Sequence, residues 1–225
     1  MKLEHRYDRN LIISKEEQES LAEKKVGILG AGGLGGYVSE MIARMGIGHI
    51  LVFDFDTFSE SNLNRQIVAT ESNLGKNKAL ETKKRISEVN SEIEVIAFTE
   101  KPGRDNIVKI LDGCDLVIDC LDTVRDKLSL QSIAMELDIP MIHGAIGGWF
   151  GQVTTIMPGN NTLDMIYPNK EEPDDSDGNP SFTPAIVAGI QVSEAVKVLL
   201  GYEDILQRKL LVIDTFANDY QVVEL

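Results

Sequence analysis

The chain has 225 residues, 43% of them hydrophobic, enough to bury the core of one large α/β domain. Its net charge of −14 repels polyanions, which argues against nucleic acid or an anionic membrane as partner. The N-terminus is charged, without an apolar leader, and no apolar run reads as long enough to span a bilayer, so a cytoplasmic protein is expected. In chain order, residues 3–23 predict a charged helical segment. Lys25 to Gly30 is an apolar run ended by glycines, the pattern of a buried parallel strand. Val38, Met41, Ile42 and Met45 give residues 36–45 a helical spacing, and His49 to Asp54 is a second buried strand. Strand, glycine-rich turn, helix and strand make a βαβ unit. The alternation continues with a helix over 76–90, a strand over 92–98, a short helix over 104–112, a strand over 115–120, a helix over 124–137 and a strand over 140–145. It predicts an α/β fold, a Rossmann-like, doubly wound, mainly parallel sheet with helices on both faces. Cys120 inside its apolar strand reads as a small core residue, and neither it nor Cys114 belongs to a C-x-x-C pair.

After Gly147 the pattern changes. Residues 151–157 alternate like a half-exposed strand. Residues 159–183 predict a long polar loop with an acidic run at 171–177, and such loops are usually functional or mobile. Residues 184–200 are helical, with Pro184 suited to a first turn and Gly201 to a stop. Residues 209–215 and 221–225 close the chain as an antiparallel C-terminal hairpin. No internal repeat is visible. A single domain over 1–225 is expected, with an N-terminal segment over 1–23, a nucleotide-binding core over 24–148 and a differently built part over 149–225.

The chemistry begins at Gly30-Ala-Gly32-Gly33-Leu-Gly35, which fits G-x-G-x-x-G, follows a strand and opens a helix. Glycines let the backbone approach phosphate, and a helix N-terminus favours negative charge. Asp54, at the end of the second strand, can accept hydrogen bonds from ribose hydroxyls. These features alone fit a nicotinamide-dependent oxidoreductase. The polar run from Asp54 to Gln66 turns the reading toward a triphosphate. Arg65 offers a planar fork of donors to phosphate oxygens, Asn62 can hold a phosphate or a metal-bound water, and Lys78 places a charge in the first turn of the next helix. Lys76 and Lys83 read as solvated surface. Asp122 stands at the carboxyl edge of the sheet, where ligands of open α/β sheets gather, and a carboxylate beside a triphosphate suits Mg2+. Asp119, inside the strand, reads instead as a structural acid.

The glycine turn, the run Ser61-Asn62-Leu63-Asn64-Arg65-Gln66, Gly75 to Lys78 and Asp119-Cys-Leu-Asp122 follow one another as in the ThiF/MoeB/HesA family, the bacterial branch related to ubiquitin-activating enzymes, and the chain resembles that family from about Arg6 to about Gly201. The resemblance implies a homodimeric enzyme that uses ATP and Mg2+ to adenylate the C-terminal Gly-Gly carboxylate of a small ubiquitin-like sulfur-carrier protein, releasing pyrophosphate. It implies nucleotide contacts from Gly30, Gly32, Gly33 and Gly35, from Asp54 on the ribose, and from Asp56, Ser61, Asn62, Leu63, Asn64, Arg65 and Gln66. Lys78 would bridge the phosphates, Asp122 would face the metal and Thr123 would lie beside the nucleotide. Arg9, with Arg6 as the fallback, matches an arginine that reaches the partner subunit's ATP. The part over 149–225 would bind the carrier.

The sequence also departs from the family. Many members carry two C-x-x-C pairs for zinc, and residues 161–168 and 215–218 contain no cysteine. No structural zinc is expected, and the hairpin is expected to hold by packing alone. Residues 159–183 lack the loop cysteine that forms a thioester or persulfide in some members, so the chemistry is expected to stop at the acyl-adenylate, with a separate sulfur donor acting on it. Gly147-Gly148-Trp149 is a candidate floor for the carrier tail, although Trp149 reads equally as a packed aromatic. His143 reads as structural. Three other readings stay open: the nicotinamide oxidoreductase, a non-catalytic nucleotide-binding relative, and a branch acting on a tRNA base, which the acidic balance disfavours.

Overall fold

The structure is a computed structural model, and it describes residues 5–100, 103–171 and 178–225. Its centre is one eight-stranded sheet in the order β3-β2-β1-β4-β5-β6-β7-β8. Strands β1 (Lys25–Leu29), β2 (His49–Phe53), β3 (Glu94–Phe98), β4 (Leu116–Asp119) and β5 (Met141–Gly147) run parallel. Strands β6 (Phe150–Ile156), β7 (Lys209–Asp214) and β8 (Asp219–Glu224) extend the sheet antiparallel. The strand order reverses between β1 and β4, the place where open α/β sheets bind ligands.

Apolar side chains alternate between two cores. Val26 and Ile28 of β1 and Leu116 and Ile118 of β4 join the core beneath helices α2 (Gly33–Met45), α3 (Lys78–Val89) and α7 (Phe182–Leu199). Leu29 and Val117 face the other core, with α4 (Arg104–Leu111), α5 (Val124–Glu136) and the short α6 (Thr162–Ile166). Helix α7 has the length and composition of a membrane span, contrary to the reading that no apolar run does. Half of that stretch is buried, and Val187, Ala188, Val192 and Ala195 lie in the first core, so it is built as a core helix.

Several elements differ from the sequence reading. Within the described part of 3–23, only α1 (Lys15–Ala22) is an α-helix, entered through a capping box at Ser14 and Glu17; residues before it form turns. Helix α2 starts at Gly33 rather than Gly36, because the glycines supply its first turn. Strand β6 is mostly buried, since β5 and β7 flank it and α7 covers it. The region 159–183 contains α6 and the first two residues of α7, while most of its acidic run, 172–177, lies outside the described residues. Strand β8 is exposed along its whole length, so the backbone ladder to β7, rather than side-chain burial, holds it. A short repeat is also present. Ser59-Glu60-Ser61-Asn62-Leu63 and Thr70-Glu71-Ser72-Asn73-Leu74 form the same 3-10 turn, each closed by its asparagine on its N-cap amide.

Candidate active site

The glycine turn joins the end of β1 to α2. Gly30 has φ +95°, and a β-carbon there would run into the Cys120 carbonyl of the neighbouring strand β4. A β-carbon at Gly35 would overlap the Gly30 carbonyl, so the helix can begin this close to β1 only on glycine. The turn thus brings the N-terminus of α2 against the end of β4.

Asp54 fixes this turn from the side of β2. Its carboxylate accepts the Ala31 amide at 2.8 Å and the Asp56 amide at 2.9 Å. Burial pushes its pKa up, while those two amides and the charge of Lys78 pull it back. The following loop then folds onto the start of α3. Phe58 and Gly75 exchange backbone hydrogen bonds with residues 75–76 and 58, and the Asn77 amide donates to the Asp54 and Asp56 carbonyls at 3.1 Å each. Asn77 also caps α3 by accepting the Leu80 amide. These bonds bring Lys78, the first residue of α3, to the end of β2, where its Nζ lies 3.2 Å from Asp56. Lys78 is buried.

Gln66 is buried against the turn: its amide lies 3.6 Å from where a β-carbon of Gly32 would stand, and its Oε1 has no hydrogen-bond partner in the protein. The structure therefore gathers Gly30 to Gly35, Asp54, Asp56, Gln66 and Lys78 through direct contacts. Asn62 is buried and its side-chain oxygen accepts the Ser59 amide. Ser61 is exposed and Arg65 half-buried, and the Arg65 guanidinium donates to the Ser61 carbonyl and the Asn64 side chain, both at 2.9 Å. Leu63 closes the 3-10 turn. Asp122 is exposed just beyond β4, and Thr123 caps α5 by accepting the Asp126 amide.

Arg9 is not brought to this site within its own chain. The N-terminal segment is tied to the opposite edge of the sheet, with Tyr7 Oη accepting from Asn90 at 3.0 Å. Arg6, the fallback, donates to the Val89 carbonyl at 2.7 Å. Arg9 is exposed.

A second group of residues reaches the same edge. Asn64 donates to the Asn179 carbonyl at 3.1 Å, Gly148 donates to the Gly178 carbonyl at 2.8 Å, and Thr183 Oγ1 donates to the Gly148 carbonyl at 2.7 Å. Residues 178–183 thus strap the nucleotide loop to the β5–β6 turn. Beside this strap Trp149 contacts Phe182 and Phe216, with ring centroids 4.7 and 5.4 Å apart. Trp149 is 46% exposed and Phe216 74%, so the tryptophan is half-open rather than enclosed.

Sequence reasoning missed Asn77 and the partners of Asp119. Asp119 and His143 are fully buried, as their structural reading requires, and Lys127, 4% exposed, pairs with Asp119. An acid amid strand hydrophobics was the available signal, because such a charge needs a buried partner. Both cysteines are buried, and burial pushes the Cys114 thiol up to about 11 and the Cys120 thiol higher still. Among the described residues no group of three or more His, Cys, Asp or Glu could hold a metal.

A doubly wound sheet with a glycine turn, an acid just past β2 and a lysine at a helix start has the make-up of a nucleotide-binding α/β domain. The chain belongs to the ThiF family, whose profile matches residues 7–225. It is 30% identical to the SAMP-activating enzyme E1 of Haloferax volcanii over 97% of this chain and 84% of that one. It is also 30% identical to the molybdopterin-synthase adenylyltransferase of Haemophilus influenzae, over 99% of this chain and 95% of the relative. Of some longer relatives it spans 52%. The crystal structure of E. coli MccB with ATP shares the fold, with a TM-score of 0.82 at 22% identity over 97% of this chain and 71% of that chain. The chain is an adenylyltransferase of the ubiquitin-activating-like class. That class replaces the nicotinamide oxidoreductase reading.

Proposed function

We propose that this enzyme uses ATP and Mg2+ to adenylate the C-terminal Gly-Gly carboxylate of a small ubiquitin-like sulfur-carrier protein, in the cytoplasm and as a homodimer. The observation that carries the reading is the convergence of Asp54, Asp56 and Lys78 on the glycine turn, beside the strand end that bears Asp122. The carrier carboxylate is already a nucleophile. It attacks the α-phosphorus, the bond to the bridging oxygen breaks, and pyrophosphate leaves. Lys78 and Arg65 neutralise charge on the phosphates, the α2 N-terminus faces them, and Asp54 orients the ribose. Arg9 of the partner subunit adds a further positive charge. Asp122 fits a Mg2+ ligand, since this ion takes one or two carboxylates plus phosphate oxygens and Asp122 is an exposed acid at the ligand edge. Bound there, Mg2+ would screen the phosphate charge.

The carrier tail approaches past the strap at 178–183 and the aromatic surface of Trp149, Phe182 and Phe216, all on the same sheet edge. The chemistry ends at the acyl-adenylate. Both cysteines are buried with raised thiol pKa values, so neither offers a thiolate to the adenylate, and a separate sulfur donor acts next. With no cysteine pair, no structural zinc is expected. The test is exchange of pyrophosphate into ATP against purified small carriers ending in Gly-Gly. Carrier-dependent exchange with at least one of them is expected; exchange with none, by folded enzyme that binds ATP, sinks the carrier assignment.

A further inference from the structure

One row across the sheet changes character beneath the site. In register it reads Phe53, Leu29, Asp119 and His143 on β2, β1, β4 and β5. The first two are apolar core, and the next two are polar and fully buried. The Asp119 carboxylate lies 3.3 Å from Lys127 Nζ through each oxygen and 2.7 Å from His143 Nδ1. Lys127 Nζ also donates to the Gly144 carbonyl at 2.9 Å. Burial raises the pKa of Asp119, but the charge of Lys127 and the His143 hydrogen bond outweigh it and hold the acid ionised. Burial pushes His143 toward its neutral form, so Nδ1 carries the proton and donates to Asp119. His143 Nε2 is then an acceptor facing Tyr167 Oη at 3.3 Å. Each polar group has a partner of the correct sense.

A buried ion pair is poor evidence for stability, because its desolvation rivals its attraction. Its position says more. Asp119 Oδ1 accepts the Leu121 amide at 3.0 Å, and the Lys127 amide bonds the Thr123 carbonyl at 3.1 Å. The pair therefore closes the chain from 119 to 127 into a clamp around residues 121–123, the turn that carries exposed Asp122.

We propose that Asp119 and Lys127 are positioning residues that hold the Asp122 turn in place for ATP–Mg2+. The inference rests on the adenylation reading. It is tested by calorimetric titration of the full chain with ATP–Mg2+ and, separately, with AMP. The paired variant Asp119→Asn with Lys127→Met leaves no uncompensated buried charge. It is expected to fold with a melting temperature near wild type, to bind ATP–Mg2+ about tenfold more weakly, the size usual for partners that orient a metal ligand, and to bind AMP as before. Lys127→Arg, which keeps the charge, is expected to retain ATP–Mg2+ affinity. Unchanged ATP–Mg2+ affinity in the paired variant overturns the inference, and so does an equal loss for AMP, which marks a purely structural role. Should the paired variant not fold, Lys127→Gln alone, which removes the charged tie from 127 while Asp119 keeps its His143 hydrogen bond, is measured, and unchanged ATP–Mg2+ affinity there overturns it too. A wild-type chain that binds no ATP–Mg2+ sinks the adenylation reading itself; a wild type that binds while the variant binds equally sinks only the clamp.

Discussion

The connection from β2 to α3 and the hairpin β7–β8 both lie outside the parallel sheet, and they treat water in opposite ways. The connection is polar in sequence, yet Asn62, Gln66, Asn73 and Lys78 are buried. The hairpin is strand-like, yet it exposes Phe216, Tyr220, Val222 and Val223. Buried polar groups are retained where their hydrogen bonds are made locally, and Asn73 illustrates this by accepting from Thr70 and donating to Val68 and Glu81. Phe216 joins Trp149 and Phe182 in an exposed aromatic cluster, and clusters of this kind mark surfaces that meet other molecules. The contrast sets the proposed nucleotide cradle against the proposed carrier-docking edge at Trp149, Phe182 and Phe216, and it can be broken at several points.

The largest effect is expected at Lys78. Lys78→Ala should lower carrier-dependent pyrophosphate exchange by about 100-fold or more, the range for removing one preorganised charge-stabilising group. Exchange at the wild-type rate would take Lys78 out of the mechanism. On the docking side, Trp149→Ala should raise the KM for carrier by about tenfold or more, as for an aromatic anchor, and leave ATP affinity unchanged. An equal change in both constants would merge the two regions. Asn73→Ala should destabilise the fold by about 1–3 kcal/mol through its orphaned partners, whereas Phe216→Ser should stay within about 0.5 kcal/mol. Urea denaturation of the two variants measures that difference directly.

The smallest effect is a pH slope. Burial depresses the pKa of His143, so the folded chain refuses a proton that the unfolded chain accepts below about pH 6.5. Stability from this group is present above that value and is lost as pH falls toward the folded pKa. The melting temperature of wild type should therefore fall between about pH 7 and about pH 5, and His143→Gln should flatten the slope. An identical slope in both proteins would assign the titration elsewhere.

Much of the nucleotide side was legible in advance. The spacing from Gly30 to Gly35, Asp54 at a strand end and Lys78 at a helix start are local patterns, and each sits in the structure where its pattern placed it. The roles of Ser61, Asn62 and Arg65 were less legible. Their side chains or carbonyls serve turn hydrogen bonds here, and the twin turn at 70–74 shows that the Glu-Ser-Asn-Leu sequence makes this structure on its own account. That five-residue echo was present in the sequence and too short to read as a repeat.

By itself the sequence determined the strands, the helices over the parallel half and the glycine turn, because hydrophobic period and glycine act over a few residues. Only tertiary structure decided which distant residues meet. Trp149, Phe182 and Phe216 come from three separate elements, and the antiparallel order of β6 and β7 puts their turns at one edge. Asp119 found Lys127 and His143 in the same way, since a buried charge is neutralised by whatever the fold brings beside it, and no periodicity along the chain encodes that neighbour.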